Sequence, residues 1–177
     1  LNTRRNGVGD HAIPDVIETV YAQADERMNN PTDCPGLSTG LRPLDGLLGG
    51  LQTGFYILAA RPSVGKTALA LQIASNVAAA GERVMVFTLE MSPEQLVRRL
   101  ACSWAEVSLR DLLRGKLDPE SYARFTRAVG EINEWPMSLH TGDVTPGVVR
   151  AKVQRELLRG DVALVIVDYL GLLSPDE

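Results

Sequence analysis

Three uninterrupted apolar runs, "FYILAA" (55–60), "RVMVFTL" (83–89) and "VALVIV" (162–167), do most to limit what this chain can fold into. Runs this short and this continuous read as strands buried on both faces, rather than as half-exposed strands that alternate apolar with polar residues. The segments between them carry helix-start chemistry. Lys66 to Ala80 is rich in Ala and Leu, and Ser92-Pro93-Glu94-Gln95 combines a cap, a proline at the first helical position and a closing Gln before a helix to about Val107. Ser108 and Asp118-Pro119 open two further helical segments, the latter to about Trp135, and Thr145-Pro146 opens one ending near Gly160. "MSLH" (137–140) is a further short strand candidate. Buried strands joined through helices indicate an α/β fold, a mostly parallel β-sheet flanked by helices. With 177 residues, 45% of them hydrophobic but only 5% aromatic, the expected core is a single one built from aliphatic side chains.

Ahead of this body, residues 1–12 are polar and expected to be mobile, and apolar residues at Ile13, Val16, Ile17, Val20, Tyr21, Ala24 and Met28 fall at helical spacing. "NNPTDCPG" (29–36) then reads as a linker, so residues 1–36 form an N-terminus with a linker helix and 37–177 the main domain. The greasy face of that helix either packs on its own core or docks on a neighbouring subunit. "LSTGLRPLDGLLGGLQTG" (37–54) is turn-rich, with a short helix expected around Pro43–Leu48.

A net charge of −4 argues against a broadly basic nucleic-acid binder, and Arg98, Arg99, Arg110, Arg114 and Lys116 are interspersed with Glu94, Glu106 and Asp111 as on a solvated helical face. Cys34 and Cys102 lie far apart and read as free thiols, and His11 and His140 have no metal-site companions. No apolar run approaches membrane-spanning length and no signal-peptide pattern is present, so a cytoplasmic location is expected. Leu1 in place of Met hints at an upstream portion.

The chemistry concentrates where the first apolar run meets a helix. Ala60-Arg61-Pro62-Ser63-Val64-Gly65-Lys66-Thr67 fits the phosphate-loop pattern G-x-x-x-x-G-K-[ST], with Ala60 in the first glycine's place. A loop between a strand and a helix N-terminus can turn successive N–H groups, here through Ala68, toward one anion, and the helix dipole favours the same point. Gly65 allows close backbone approach, Lys66 can place its charge on the β/γ-phosphates, and the Thr67 hydroxyl can ligate Mg2+. The plainer alternative is a strand–turn–helix with a lysine reaching to solvent. Asp168 ends the run "VALVIV" as a Walker B acid would, at the sheet edge where ligands of open α/β sheets gather. Glu90 ends "RVMVFTL" in the same way, near enough in principle to polarise an attacking water. Taken singly, Asp168 could be a turn residue and Glu90 a partner for the next helix N-terminus.

Four segments together, "STGLRPLDGLLGGLQTG", "ILAARPSVGKTALALQIA", "FTLEMSPEQLVRRL" and "VIVDYLGLL", resemble the RecA-type motor domain of the DnaB family of replicative DNA helicases, over about residues 37–173. The resemblance implies a RecA-like P-loop NTPase that uses ATP and Mg2+. In it Lys66 and Thr67 serve phosphate and metal, Glu90 is the catalytic carboxylate, Asp168 the Walker B acid and Arg61 a positioning residue. It also implies a homo-hexameric ring with ATP between adjacent subunits, single-stranded DNA in the channel at a replication fork, possible loader or primase partners, and no membrane. The helix at 13–28 resembles the linker helix that such proteins dock on a neighbour.

The chain departs from the family pattern at Gly171, where Gln is usual, and stops at Glu177 before the family's sensor strand, DNA-gripping loops and trans-acting arginine. In the RecA-type order the sensor strand lies between the Walker A and Walker B strands, so two buried, unpaired edges are expected without it. An incomplete motor is therefore the expectation, with a non-motor fragment that binds nucleotide or helicase subunits as a regulator as the alternative. A recombinase or clock-type RecA relative would share the sheet but not the four segments, and a small-molecule kinase would need an arginine-rich lid.

Overall fold

The computed structural model describes residues 12–32, 34–61, 63–89, 91–142 and 144–168. In chain order these form α1 (Ile13–Asn29), α2 (Arg42–Leu48), α3 (Lys66–Ala79), β1 (Val84–Thr88), α4 (Pro93–Trp104), α5 (Leu109–Leu113), α6 (Pro119–Asn133), β2 (Met137–Thr141), α7 (Pro146–Leu157) and β3 (Leu164–Asp168). The strands make one parallel sheet in the order β2-β1-β3, with Val84 opposite both Met137 and Leu164 and Thr88 opposite both Thr141 and Asp168.

Alternation along β1 divides the core into two. Val84 and Val86 face Leu71, Ala74, Val77 and Ala78 of α3 and Leu96 and Leu100 of α4. Met85 and Phe87 face the other way, onto Val144 and onto Val149 and Val153 of α7. The two helical layers bury β1 completely, which is why its run needs no polar position.

The helix starts behave as their capping residues dictate. Ser92 accepts from the Gln95 N–H while the Gln95 side chain accepts from the Ser92 N–H, a complete capping box. Asp118 accepts from Ser121 N–H at 2.9 Å and Thr145 from Val148 N–H at 3.2 Å. α6 ends at Asn133 and continues as a turn, with Glu134 and Trp135 N–H bonded to the Glu131 and Ile132 carbonyls, so the helical segment closes near Trp135 as expected, ahead of Pro136.

Three expectations about burial and pairing are corrected. The run "FYILAA" is not a strand: it pairs with nothing in the sheet, and Phe55 and Ile57 are 78% and 75% exposed. A strand owes its stability to a ladder and to a covered face, and residues 55–60 have neither among the described residues. The buried, unpaired edges expected on either side of a missing strand do not form either, since residues 55–60 lie in water. "VALVIV" does become β3, but as an edge strand it is only partly covered, with Val165 turned toward solvent.

The helix at 13–29 forms as its spacing predicts, but Ile13, Val16, Ile17, Val20, Tyr21 and Met28 all remain exposed, so among the described residues it does not pack on its own core. The turn-rich segment is tied down instead. The Asp45 carboxylate accepts from Ser38 Oγ (2.7 Å), Thr39 N–H (2.8 Å) and Thr39 Oγ1 (2.7 Å), and Asn76 of α3 donates to the Thr39 carbonyl at 2.8 Å. This clamp fixes the segment before the loop against the helix that follows the loop. The expected mobile stretch at 1–11 and the departure at Gly171 lie outside the described residues.

Candidate functional site

α3 begins at Lys66 with Gly65 as its N-cap, and no side chain caps it. Its first-turn N–H groups therefore keep their donors for whatever occupies the loop. Gly65 adopts φ 109°, a conformation open to glycine, and a Cβ placed there would meet nothing within 4 Å. Glycine is thus required by backbone conformation, with open space in front of it. Ser63 holds φ 65° without being glycine, the local strain that clusters at ligand-binding turns. Ser63, Val64 and Gly65 are exposed, and Val64 N–H closes a turn on the Arg61 carbonyl at 3.4 Å.

Asp168 reaches this helix start from the carboxyl end of β3. Thr67 Oγ1 donates to Asp168 Oδ2 at 2.6 Å, and Lys66 Nζ stands 3.4 Å from Asp168 Oδ1. Thr67 and Lys66 thus share the carboxylate of a buried residue that lies 101 positions beyond Thr67 in sequence. The Lys66 and Thr67 positions come from the helix start, and the Asp168 position from the β1–β3 register that aligns it with Thr88.

Of the expected site residues, Lys66, Thr67 and Asp168 converge. Ser63, Val64, Gly65 and Ala68 lie around the same helix start, whereas Ala60 and Arg61 belong to the exposed approach. Pro62 and Glu90 lie outside the described residues. A hydroxyl and a carboxylate meeting at one point, beside an uncapped helix start, form an oxygen donor set of the kind that holds Mg2+ together with phosphate oxygens. No group of three or more His, Cys, Asp or Glu able to hold a metal occurs among the described residues.

One polar group at this rim escaped the sequence reading. Thr88, at the end of β1, is 1% exposed and its Oγ1 has no hydrogen-bond partner among the described residues. Its only trace in the sequence is a hydroxyl residue at the close of an otherwise apolar run.

The family model described as the DnaB-like helicase C terminal domain matches residues 36–177. The chain belongs to that family. This member is 36% identical over 177 residues to the replicative DNA helicase DnaC of Bacillus subtilis (strain 168), an alignment covering 97% of this chain and 38% of the relative. It is also 36% identical to the replicative DNA helicase DnaB of Geobacillus stearothermophilus, over 98% of this chain and 39% of that protein. The chain therefore spans about two fifths of the length of these curated relatives. Among solved structures, the ATPase domain of G40P superposes with a TM-score of 0.85 at 25% identity, covering 96% of this chain and 61% of the other. A DnaB-like replicative helicase, solved to show its interactions with primase, gives 0.82 at 26% identity, over 97% of this chain and 42% of the other. The sheet with helices on both faces is thus the RecA-like ATPase fold of DnaB-like helicases. No helix among the described residues is long and apolar enough to cross a membrane.

Proposed function

We propose that this domain binds ATP with Mg2+ and hydrolyses it as the motor of a replicative DNA helicase. The observation that carries this reading is the meeting of Lys66, Thr67 and Asp168 at the uncapped start of α3. The loop N–H groups from Ser63 to Ala68 cradle the phosphates, and Arg61 and Pro62 set the entry of the loop. Lys66 turns from Asp168 to the β/γ-phosphates, where its flexible stem delivers a point charge. Thr67 and Asp168 hold Mg2+, which supplies positive charge against the phosphate oxygens when bound. Glu90, two residues beyond Thr88, orients the attacking water as general base. Single-stranded DNA at a replication fork, identical subunits in a hexameric ring, and a loader or primase are the partners in this proposal, with a cytoplasmic location. The exposed apolar face of α1 is the surface for docking on the next subunit.

One observation favours a second reading, a module that binds nucleotide or helicase subunits without turnover: residues 55–60, which lead into the loop, are held by no strand among the described residues. Turnover of ATP with and without single-stranded DNA, for this chain and for Lys66→Ala, separates the two. DNA-stimulated turnover abolished by the substitution supports the motor, whereas Lys66-dependent binding without turnover supports the module. A size-exclusion mass with ATP and Mg2+ reports whether a ring forms.

A further inference from the structure

A buried hydroxyl with no partner is rare, because desolvation without a compensating hydrogen bond is unfavourable. Among the described residues Thr88 Oγ1 is the buried side-chain polar atom in this condition. Its position narrows the explanation. Val84 and Val86 face α3, Met85 and Phe87 face away, so Thr88 continues the α3-facing set. Asp168 is its register partner on β3, and Asp168 also faces α3, since it contacts Lys66 and Thr67 there. The two side chains therefore stand side by side on one face of neighbouring strands, about 5 Å apart at the backbone.

Each oxygen of the Asp168 carboxylate has a partner at the start of α3: Thr67 on Oδ2 and Lys66 on Oδ1. Capturing a triphosphate takes Lys66 away from Oδ1, which removes the one donor seen on that oxygen and leaves the cation alone to fix the carboxylate's orientation. Thr88 carries an unused donor on the adjacent strand. We infer that Thr88 is a positioning residue of the nucleotide site, whose hydroxyl replaces Lys66 at Asp168 Oδ1, directly or through one water, when Lys66 moves to the phosphates. The exchange keeps Asp168 aimed at the cation position after its lysine has left, and gives the Thr88 hydroxyl a hydrogen-bond partner. Nothing covalent changes. The inference rests on the proposed nucleotide site, because it needs Lys66 to leave Asp168.

Three variants of the chain test it: Thr88→Val, which keeps the shape and removes the hydroxyl, Thr88→Ser, which restores a hydroxyl, and Lys66→Ala as the site control. Each is melted without nucleotide and titrated with a non-hydrolysable ATP analogue in the presence of Mg2+. Thr88→Val should melt no lower than the unsubstituted chain, because an unpartnered hydroxyl contributes no hydrogen bond to the fold. It should bind the analogue roughly fivefold more weakly, the loss of one hydrogen bond, and Thr88→Ser should recover most of that loss. A Thr88→Val chain that melts several degrees lower, or that binds the analogue as tightly as the unsubstituted chain, overturns the inference. Binding that Lys66→Ala leaves untouched, or no binding by the unsubstituted chain, removes the nucleotide site itself and the inference with it. Loss of binding on Lys66→Ala beside unchanged binding on Thr88→Val removes the inference about Thr88 alone.

Discussion

The Lys66–Asp168 pair should be measurable as a free energy before any nucleotide is added. The ions stand 3.4 Å apart, with side chains 29% and 10% exposed. At the effective dielectric typical of pairs near a protein surface, two charges at that distance attract by about 5 kcal/mol. Desolvating the carboxylate and leaving the ammonium partly in water return most of this, so a net coupling of about 1–2 kcal/mol is expected. Single substitutions do not isolate it, because Lys66 makes a further interaction besides this one. A double-mutant cycle of Lys66→Met, Asp168→Asn and the combination does, since contacts outside the pair cancel. Urea unfolding supplies the four stabilities, and in melting temperature the coupling corresponds to about 2–8 °C for a chain of this size. Raising salt from about 0.1 M to 1 M shortens the Debye length from about 10 Å to 3 Å. A part-buried contact of this kind should keep more than half its coupling through that change. A coupling within about 0.5 kcal/mol of zero, the range of ordinary additivity, would refute the account of the site as an electrostatically assembled unit.

Two further expectations concern the scaffold. Burial first, and then the charge of Lys152, hold His140 below its ordinary value of 6.5 against an opposing pull from Glu156, while its ring stacks on Phe87 at 4.6 Å. The unfolded chain therefore takes up that proton at higher pH than the folded one, and stability should fall as pH drops through about 6.5; His140→Gln should flatten that part of a urea-midpoint profile. Asp45→Ala should cost about 2–4 kcal/mol in urea unfolding, since it strands the Ser38 and Thr39 donors that now bond the carboxylate, with Asp45→Asn losing less.

Where local chemistry decides, the sequence was a good guide. Ser92, Asp118 and Thr145 open helices because their side chains satisfy bare N–H groups a few residues on, and the turn at Gly65 follows from the conformation that only glycine adopts freely. Asp168 could be placed at a strand end because an apolar run stops there, and its meeting with Lys66 and Thr67 followed from the fold that two motifs implied together. What could not be read depended on neighbours distant in sequence. Phe55 to Ala60 has strand composition, yet composition does not reveal whether a ladder partner is at hand. Val165 sits in a run as apolar as that of Val86, and only sheet order makes one strand an edge and the other a centre. The Asp45 clamp and the lone Thr88 hydroxyl involve single side chains in a tertiary setting, and no spacing rule announces either.

The unladdered residues before the loop bear on how tightly the domain could hold a ligand. The loop is braced downstream by α3 and by Asp168, but upstream it continues into exposed backbone that no ladder holds among the described residues. Apparent affinity is then the intrinsic affinity scaled by the fraction of time the upstream half spends in the receptive shape. Any strand that annealed to the open edge of β3 and enlisted residues 55–60 would raise that fraction. Linkage makes the effect mutual: a chain carrying its ligand would grip such a strand more firmly, by the same factor.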